Sequence, residues 1–156
     1  MKSVAVFPGS FDPFTVGHEA IVRRALPLFD TIVIAIGINS LKSGIFSLEN
    51  RISMITKVFE NESGIKVDSY EGLTIDYCRK VDSKHIIRGL RTSADFEFER
   101  AIAQVNRVMA PEVESLFFLS SPEHSAINST IVREILRFNG DASQFVPEGI
   151  NLADYM

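Results

Sequence analysis

Three stretches of this chain put hydrogen-bond donors where a polyphosphate can use them. The first is Gly9-Ser10-Phe11-Asp12-Pro13-Phe14-Thr15-Val16-Gly17-His18, between a short apolar run and a helical pattern. Free amides at a helix N-terminus, with the helix dipole behind them, attract an anion. Ser10 adds a hydroxyl, Gly17 leaves room for a phosphate, and His18 in the first turn can donate a ring N–H to the same anion. The second is Arg88-Gly89-Leu90-Arg91, two guanidinium forks flanking a glycine, a geometry that matches phosphate oxygens. Asp95 and Glu99 follow one turn apart, placed to orient those arginines or to contact a ribose. The third is Ser125-Ala126-Ile127-Asn128-Ser129-Thr130, then Ile131-Val132-Arg133, where small polar residues again open a helix. Lys42 lies in a further loop.

Neither the dinucleotide fingerprint G-x-G-x-x-G nor the Walker loop G-x-x-x-x-G-K-S/T occurs. No side chain pairs with a neighbouring base as a nucleophile, and no Cys/His group has zinc spacing. Such a donor set suits phosphoryl or nucleotidyl transfer by positioning and electrostatics, with the acceptor's own phosphate attacking. The net charge of −4 argues against general nucleic-acid binding. Cys78 is the only cysteine, read as a small buried hydrophobe in a helix, so no intrachain disulfide forms. The opening MKSVAVFPGS is too short in apolar residues for a signal peptide, and no apolar run approaches a membrane span. A soluble cytoplasmic protein is the expectation.

These loops need a scaffold, and the pattern supplies one. Strands are predicted at Ser3–Phe7, Thr31–Ile38, Ile65–Tyr70, His85–Ile87 and Ser115–Leu119. Between them lie helices at 15–29 with Thr15 as cap, from Ser47 with Leu48, Ile52, Ile55 and Phe59 on one stripe, and at Leu73–Val81. A helix at 93–109 carries Phe98, Ile102, Val105 and Met109 on one face and starts with a Thr92/Asp95 capping box. The last, at 129–138, carries Ile131, Ile135 and Phe138 and stops at Asn139-Gly140. Alternating strands and helices make one α/β domain over 1–156 with a parallel sheet, its tail at about 141–156 packed on the body. Ligands of such sheets sit at the carboxyl ends of the strands. That edge comprises the loops 8–18, 38–46, 71–74, 88–92 and 120–130, which hold most of the polar residues named above.

The strings PGSFDPFTVGH at 8–18, Lys42, RGLR followed by ADFEFE through Glu99, NR at 106–107 and INSTIVRE at 127–134 are collinear over nearly the whole chain. Together they resemble the bacterial phosphopantetheine adenylyltransferases, in the nucleotidyltransferase superfamily marked by H/T-x-G-H. That motif alone gives only the superfamily; RGLR with ADFEFE is more specific. The resemblance implies a Rossmann-like, five-stranded parallel sheet. It also implies transfer of the adenylyl group of ATP to 4′-phosphopantetheine, giving dephospho-coenzyme A and pyrophosphate. By resemblance His18 stabilises the transition state at the α-phosphate, with Ser10 and Lys42 beside it. Ser10, Lys42, Thr74 and Arg88 hold the phosphopantetheine side. Ser10, Phe11, His18, Gly89, Leu90, Arg91, Glu99 and the run His124, Ser125, Ala126, Ile127, Asn128, Ser129 and Thr130 hold ATP. Mg2+ accompanies the triphosphate on phosphate oxygens and water, with no protein ligands. A homohexamer and feedback inhibition by coenzyme A are implied too. Ser10 stands for a frequent Thr, Val16 for Asn, His124 for a frequent aromatic, and Asn128 for a serine. Two alternatives remain at this level: adenylyl or cytidylyl transfer to another acceptor, such as nicotinamide mononucleotide or glycerol 3-phosphate, and a nucleotide-binding regulator without turnover.

Overall fold

Ala5, Phe7, Ile32, Ile34, Ile36 and Ile87 feed one hydrophobic cluster, and Val6, Val33, Ala35 and Ile86 feed another. Alternate residues of the same strands thus serve opposite faces of one sheet, so both faces are buried. This is why the strands read as apolar runs rather than alternations. The computed structural model describes residues 1–156. Five strands, β1 (Val4–Gly9), β2 (Thr31–Gly37), β3 (Ile65–Tyr70), β4 (His85–Leu90) and β5 (Glu114–Leu119), form one parallel sheet in the order β3-β2-β1-β4-β5. The helices are α1 (Val16–Ala25), α2 (Leu48–Val58), α3 (Thr74–Lys80), α4 (Ser93–Met109) and α5 (Ser129–Arg137).

The helix starts follow the expected caps. Thr15 accepts from the His18 amide, Ser47 from Asn50, and Thr92 with Asp95 forms the capping box. Pro27 ends α1 early, and a 3-10 turn replaces its last residues. Cys78 is fully buried, and burial pushes its thiol up to about 11. The tail packs Val146, Ile150 and Leu152 with Phe46, Met54 and Val132 in a third cluster.

The expected end of β4 needs correction, and the structure decides where the apolar stripes of α4 and α5 point. Strand β4 runs to Leu90 rather than stopping at Ile87, because Arg88, Gly89 and Leu90 pair with Phe117, Phe118 and Leu119 of β5. A charged residue at 88 interrupts the apolar run without interrupting the backbone ladder. The stripe of α4 forms with the expected spacing but does not face the core. Phe98 and Val105 are 68% and 56% exposed, and the only buried residue of α4 is Glu99. In α5, likewise, Ile131 and Phe138 are exposed, and Val132 is the residue that enters the core.

Phe46, 1% exposed, is the side chain through which the tail meets the loop after β2. Phe46→Ala should lower unfolding free energy by about 3–5 kcal/mol, as expected for an emptied aromatic site. Denaturant titration checks this, and a loss below 1 kcal/mol would show that the tail's cluster contributes little.

Candidate active site

β1 and β2 stay paired from Val4–Thr31 to Gly9–Ile36, but β1 and β4 pair only at Ala5–His85 and Val6–Ile86. Beyond these residues the two central strands part. Pro8 has no N–H to offer the ladder, and the Arg88 guanidinium donates to the Pro8 carbonyl at 2.9 Å instead. The parting lies where the strand order reverses, the position at which open parallel sheets bind ligands.

Two chambers of similar size meet there. One, of about 370 Å³, reaches towards α3 and α4 and is lined by Ser10, Thr74, Arg88, Asn106 and Tyr70 among others. The other, of about 350 Å³, reaches towards α1 and α5. It takes in Ser10, Phe11, His18, Arg88, Gly89, Arg91 and Glu99, with His124, Ile127, Asn128, Ser129 and Thr130. Pro8, Gly9, Ser10, Arg88 and Glu99 belong to both, so they form the wall between them.

His18 stands at the third position of α1. Its Nδ1 accepts from the Thr15 N–H at 2.9 Å, completing a capping box in which histidine takes the usual place of Glu. The Nδ1 is therefore unprotonated, and a neutral ring carries its proton on Nε2. Phe7, Phe11 and Phe14 pack around the imidazole, with ring centroids 5.0–6.3 Å away. Although His18 is only partly buried, desolvation, then the positive charges of Arg91 and Arg88, push its pKa down to about 3. The ring is a neutral donor at working pH. The helix cap thus leaves the Nε2–H free of the cap contact.

The arginines are held rather than loose. Arg88 donates from Nε and Nη2 to the two oxygens of the buried Glu99 at 2.8 and 2.6 Å, besides its bond to Pro8. Three of its five N–H groups are thus engaged and two remain. Arg91 pairs with Asp95 at 3.2 Å. The two carboxylates orient the arginines, and both oxygens of Glu99 are used in doing so.

At α5 the expected hydroxyls are partly committed. Ser129 donates to the Pro13 carbonyl at 2.8 Å, and the Asn128 side chain caps α5 through the Ile131 amide at 2.9 Å. The substitution of Asn for serine at 128 therefore keeps a helix cap. Arg133, which sequence reasoning quoted but did not assign, lines the chamber beside α5 and donates to the Asp12 carbonyl and to Thr130. It has no carboxylate partner within ion-pair range, unlike Arg88 and Arg91. Its position one helical turn after Thr130 was the available signal. Tyr70 and Asn106 were also missed as lining residues; Tyr70 shares a hydrogen bond of 2.8 Å with the Thr74 hydroxyl.

Some expected residues lie outside both chambers. Lys42, Ser125 and Ala126 are exposed and line neither, and the Leu90 side chain is buried. At Gly17 an added Cβ would meet Thr15 and His124 only at ordinary contact distances, 3.5 and 3.8 Å. No steric contact within the protein demands glycine there.

Residues 6–135 match the cytidylyltransferase-like family. The chain is 50% identical over 153 residues to a phosphopantetheine adenylyltransferase of Leptospira biflexa, covering 98% of this chain and 96% of that one. It is 51% identical to that of Flavobacterium psychrophilum, covering 95% and 97%. Among solved structures, a protein of Vibrio parahaemolyticus described as a nicotinate-nucleotide adenylyltransferase superposes with a TM-score of 0.71 at 19% identity, covering 94% of each chain. A Francisella tularensis bifunctional NMN adenylyltransferase/ADP ribose pyrophosphatase, complexed with AMP and a manganese ion, superposes at 0.72 and 19% identity, covering 96% of this chain and 46% of that one. These two share the fold.

The His18 geometry has a titration signature. The free protein should keep a neutral ring, protonated on Nε2, from about pH 8 down to about pH 5 in imidazole nitrogen NMR. A base whose folded pKa is depressed favours the folded state above its ordinary value of 6.5, and that stability declines as pH falls towards about 3. An imidazolium signal at about pH 6 would reject the assignment.

Proposed function

The chain belongs to the cytidylyltransferase-like family and, within it, to the phosphopantetheine adenylyltransferases, and we propose on that footing that its two chambers are the two substrate sites of one reaction. That reaction transfers the adenylyl group of ATP to 4′-phosphopantetheine, giving dephospho-coenzyme A and pyrophosphate. The observation that carries the site assignment is the shared wall of Ser10, Arg88 and Glu99 between chambers of similar size. An acceptor phosphate in one chamber and the α-phosphate of ATP in the other would meet across it.

An oxygen of the acceptor phosphate attacks the α-phosphorus. The new P–O bond forms in line as the bond to the bridging oxygen of pyrophosphate breaks. The attacking group is already an anion, so no base is needed. Arg88 offers its two remaining N–H groups to the acceptor phosphate beside Ser10, and Lys42, exposed outside both chambers, would complete that side by swinging its long side chain in. The Nε2–H of His18 donates to an α-phosphate oxygen, and the bond strengthens as charge rearranges. Arg91, Arg133 and the α5 N-terminus face the rest of the triphosphate.

No group of three His, Cys, Asp or Glu side chains gathers as a metal site. A divalent ion that arrives on the nucleotide is part of the proposal, supported by the manganese ion with AMP in the Francisella protein. We take it to be Mg2+, which when bound would supply positive charge to the phosphates of the nucleotide. Coenzyme A, carrying both halves of the product, would span both chambers as a feedback inhibitor. No helix is long and apolar enough to cross a membrane, and cytoplasmic work belongs to the proposal. So does a homohexamer, supported by the exposed face of α4, where Phe98, Val105 and Val108 meet water in a single chain.

Pyrophosphate should be released with ATP, Mg2+ and 4′-phosphopantetheine, and not with nicotinamide mononucleotide or glycerol 3-phosphate. Product from either alternative but none from phosphopantetheine would overturn the reading. His18→Ala should bind ATP nearly as tightly, with kcat lower by roughly 10² or more, the scale for losing one preorganised donor. A kcat within a few-fold of wild type would leave His18 a helix cap only. Light scattering should give the mass of six chains, and Val105→Glu should shift it to smaller species; a wild-type monomer at micromolar concentration would reject assembly.

A further inference from the structure

We propose that Asp12 is a positioning residue for this reaction: its buried carboxylate fixes the loop that carries Lys42. The inference rests on the reading of Lys42 as an acceptor-side residue.

Asp12 is 6% exposed in the middle of the phosphate-binding loop. A carboxylate there has the wrong sign for a site that must hold a polyphosphate. Burial also penalises its charge unless hydrogen bonds compensate. It has no cation within ion-pair range. Its partners are two backbone amides of another loop: Phe46 N–H donates to Oδ1 at 2.9 Å and Ile45 N–H to Oδ2 at 3.0 Å. The fit extends one residue further, since a Cβ on Gly44 would lie 2.6 Å from Asp12 Oδ2. The loop after β2 is thus seated on this carboxylate.

The other end of that loop is held where the Ile38 N–H donates to the Tyr70 carbonyl at 2.8 Å. Between these anchors residues 39–44 are exposed, and Lys42 lies three residues before Ile45. The side chain of Lys42 is long and flexible, so its reach towards the wall at Ser10 depends on where the loop is pinned. Asp12 is itself immobilised, because its carbonyl accepts from Arg133 Nη1 at 2.9 Å. One residue therefore joins the nucleotide side, through Arg133, to the acceptor-side loop, through its carboxylate.

The test is a double-mutant cycle on the full-length protein, with Asp12→Asn, Lys42→Ala and the pair. Steady-state kinetics, ATP titration and hydrogen exchange are read on each, and circular dichroism checks folding. Asp12→Asn should lower kcat by about 10- to 100-fold, the scale of an ångström-size misplacement, with ATP affinity within about twofold. Exchange at the Ile45 and Phe46 amides should speed up. In the Lys42→Ala background the same change should cost less than about twofold, since coupled residues do not add. Gly44→Ala, which presses on the same contact from the other side, should reproduce the loss if Asp12→Asn folds poorly. A full additional loss on top of Lys42→Ala, or unchanged kcat despite faster exchange, overturns the role of Asp12 alone. An unimpaired Lys42→Ala overturns the reading of Lys42, and this inference with it.

Discussion

The site exists because two neighbouring strands stop pairing. After Val6 and Ile86, β1 and β4 no longer share a ladder, although each continues against its other neighbour. The Arg88 guanidinium occupies the opening, held by the Pro8 carbonyl on one strand and by Glu99 of α4. A cleft cut into the middle of a rigid sheet gives reacting groups fixed walls. That is the main resource of an enzyme that supplies position rather than a nucleophile.

The first loop is fastened to its surroundings through its own carbonyls. Pro8, Ser10, Asp12 and Pro13 accept from Arg88, Arg51, Arg133 and Ser129. With the carbonyls turned to these donors and Phe11 and Phe14 buried beneath, the loop is braced from β4, α2 and α5 at once. This bracing also explains why two of the cations are already paired. Glu99 and Asp95 reduce the net positive charge of the site but remove the freedom of Arg88 and Arg91. A charged donor held in place needs little reorganisation during the reaction.

His18 shows the same economy. Its Nδ1 completes a helix cap and so sets the tautomer, and burial with two arginines keeps the ring neutral. In the reaction proposed above, a donor that carries no charge of its own would hold the ground-state triphosphate weakly, leaving its interaction to grow in the transition state.

Local chemistry by itself determined a good deal about this chain. Apolar runs without alternation required a parallel sheet covered on both faces, and the caps at Thr15, Ser47 and Thr92 set the helix starts to the residue. That 8–18, 88–91 and 124–130 gather at one edge of the sheet was legible from donor types beside helix starts, and residues of all three line the chamber beside α1 and α5. Tertiary structure decided the rest, because it depends on residues distant in sequence. Helical periodicity says that Phe98 and Val105 share a face of α4 but not that the face points away from the core. The apolar run ends at Ile87, yet only pairing with β5 shows that the strand goes on to Leu90. Nothing local tells that Asp12 carries the amides of Ile45 and Phe46, or that Arg88 bridges a gap between strands 80 residues apart in the chain. A periodicity reports which residues point together; what they point at is set by the packing of the whole chain.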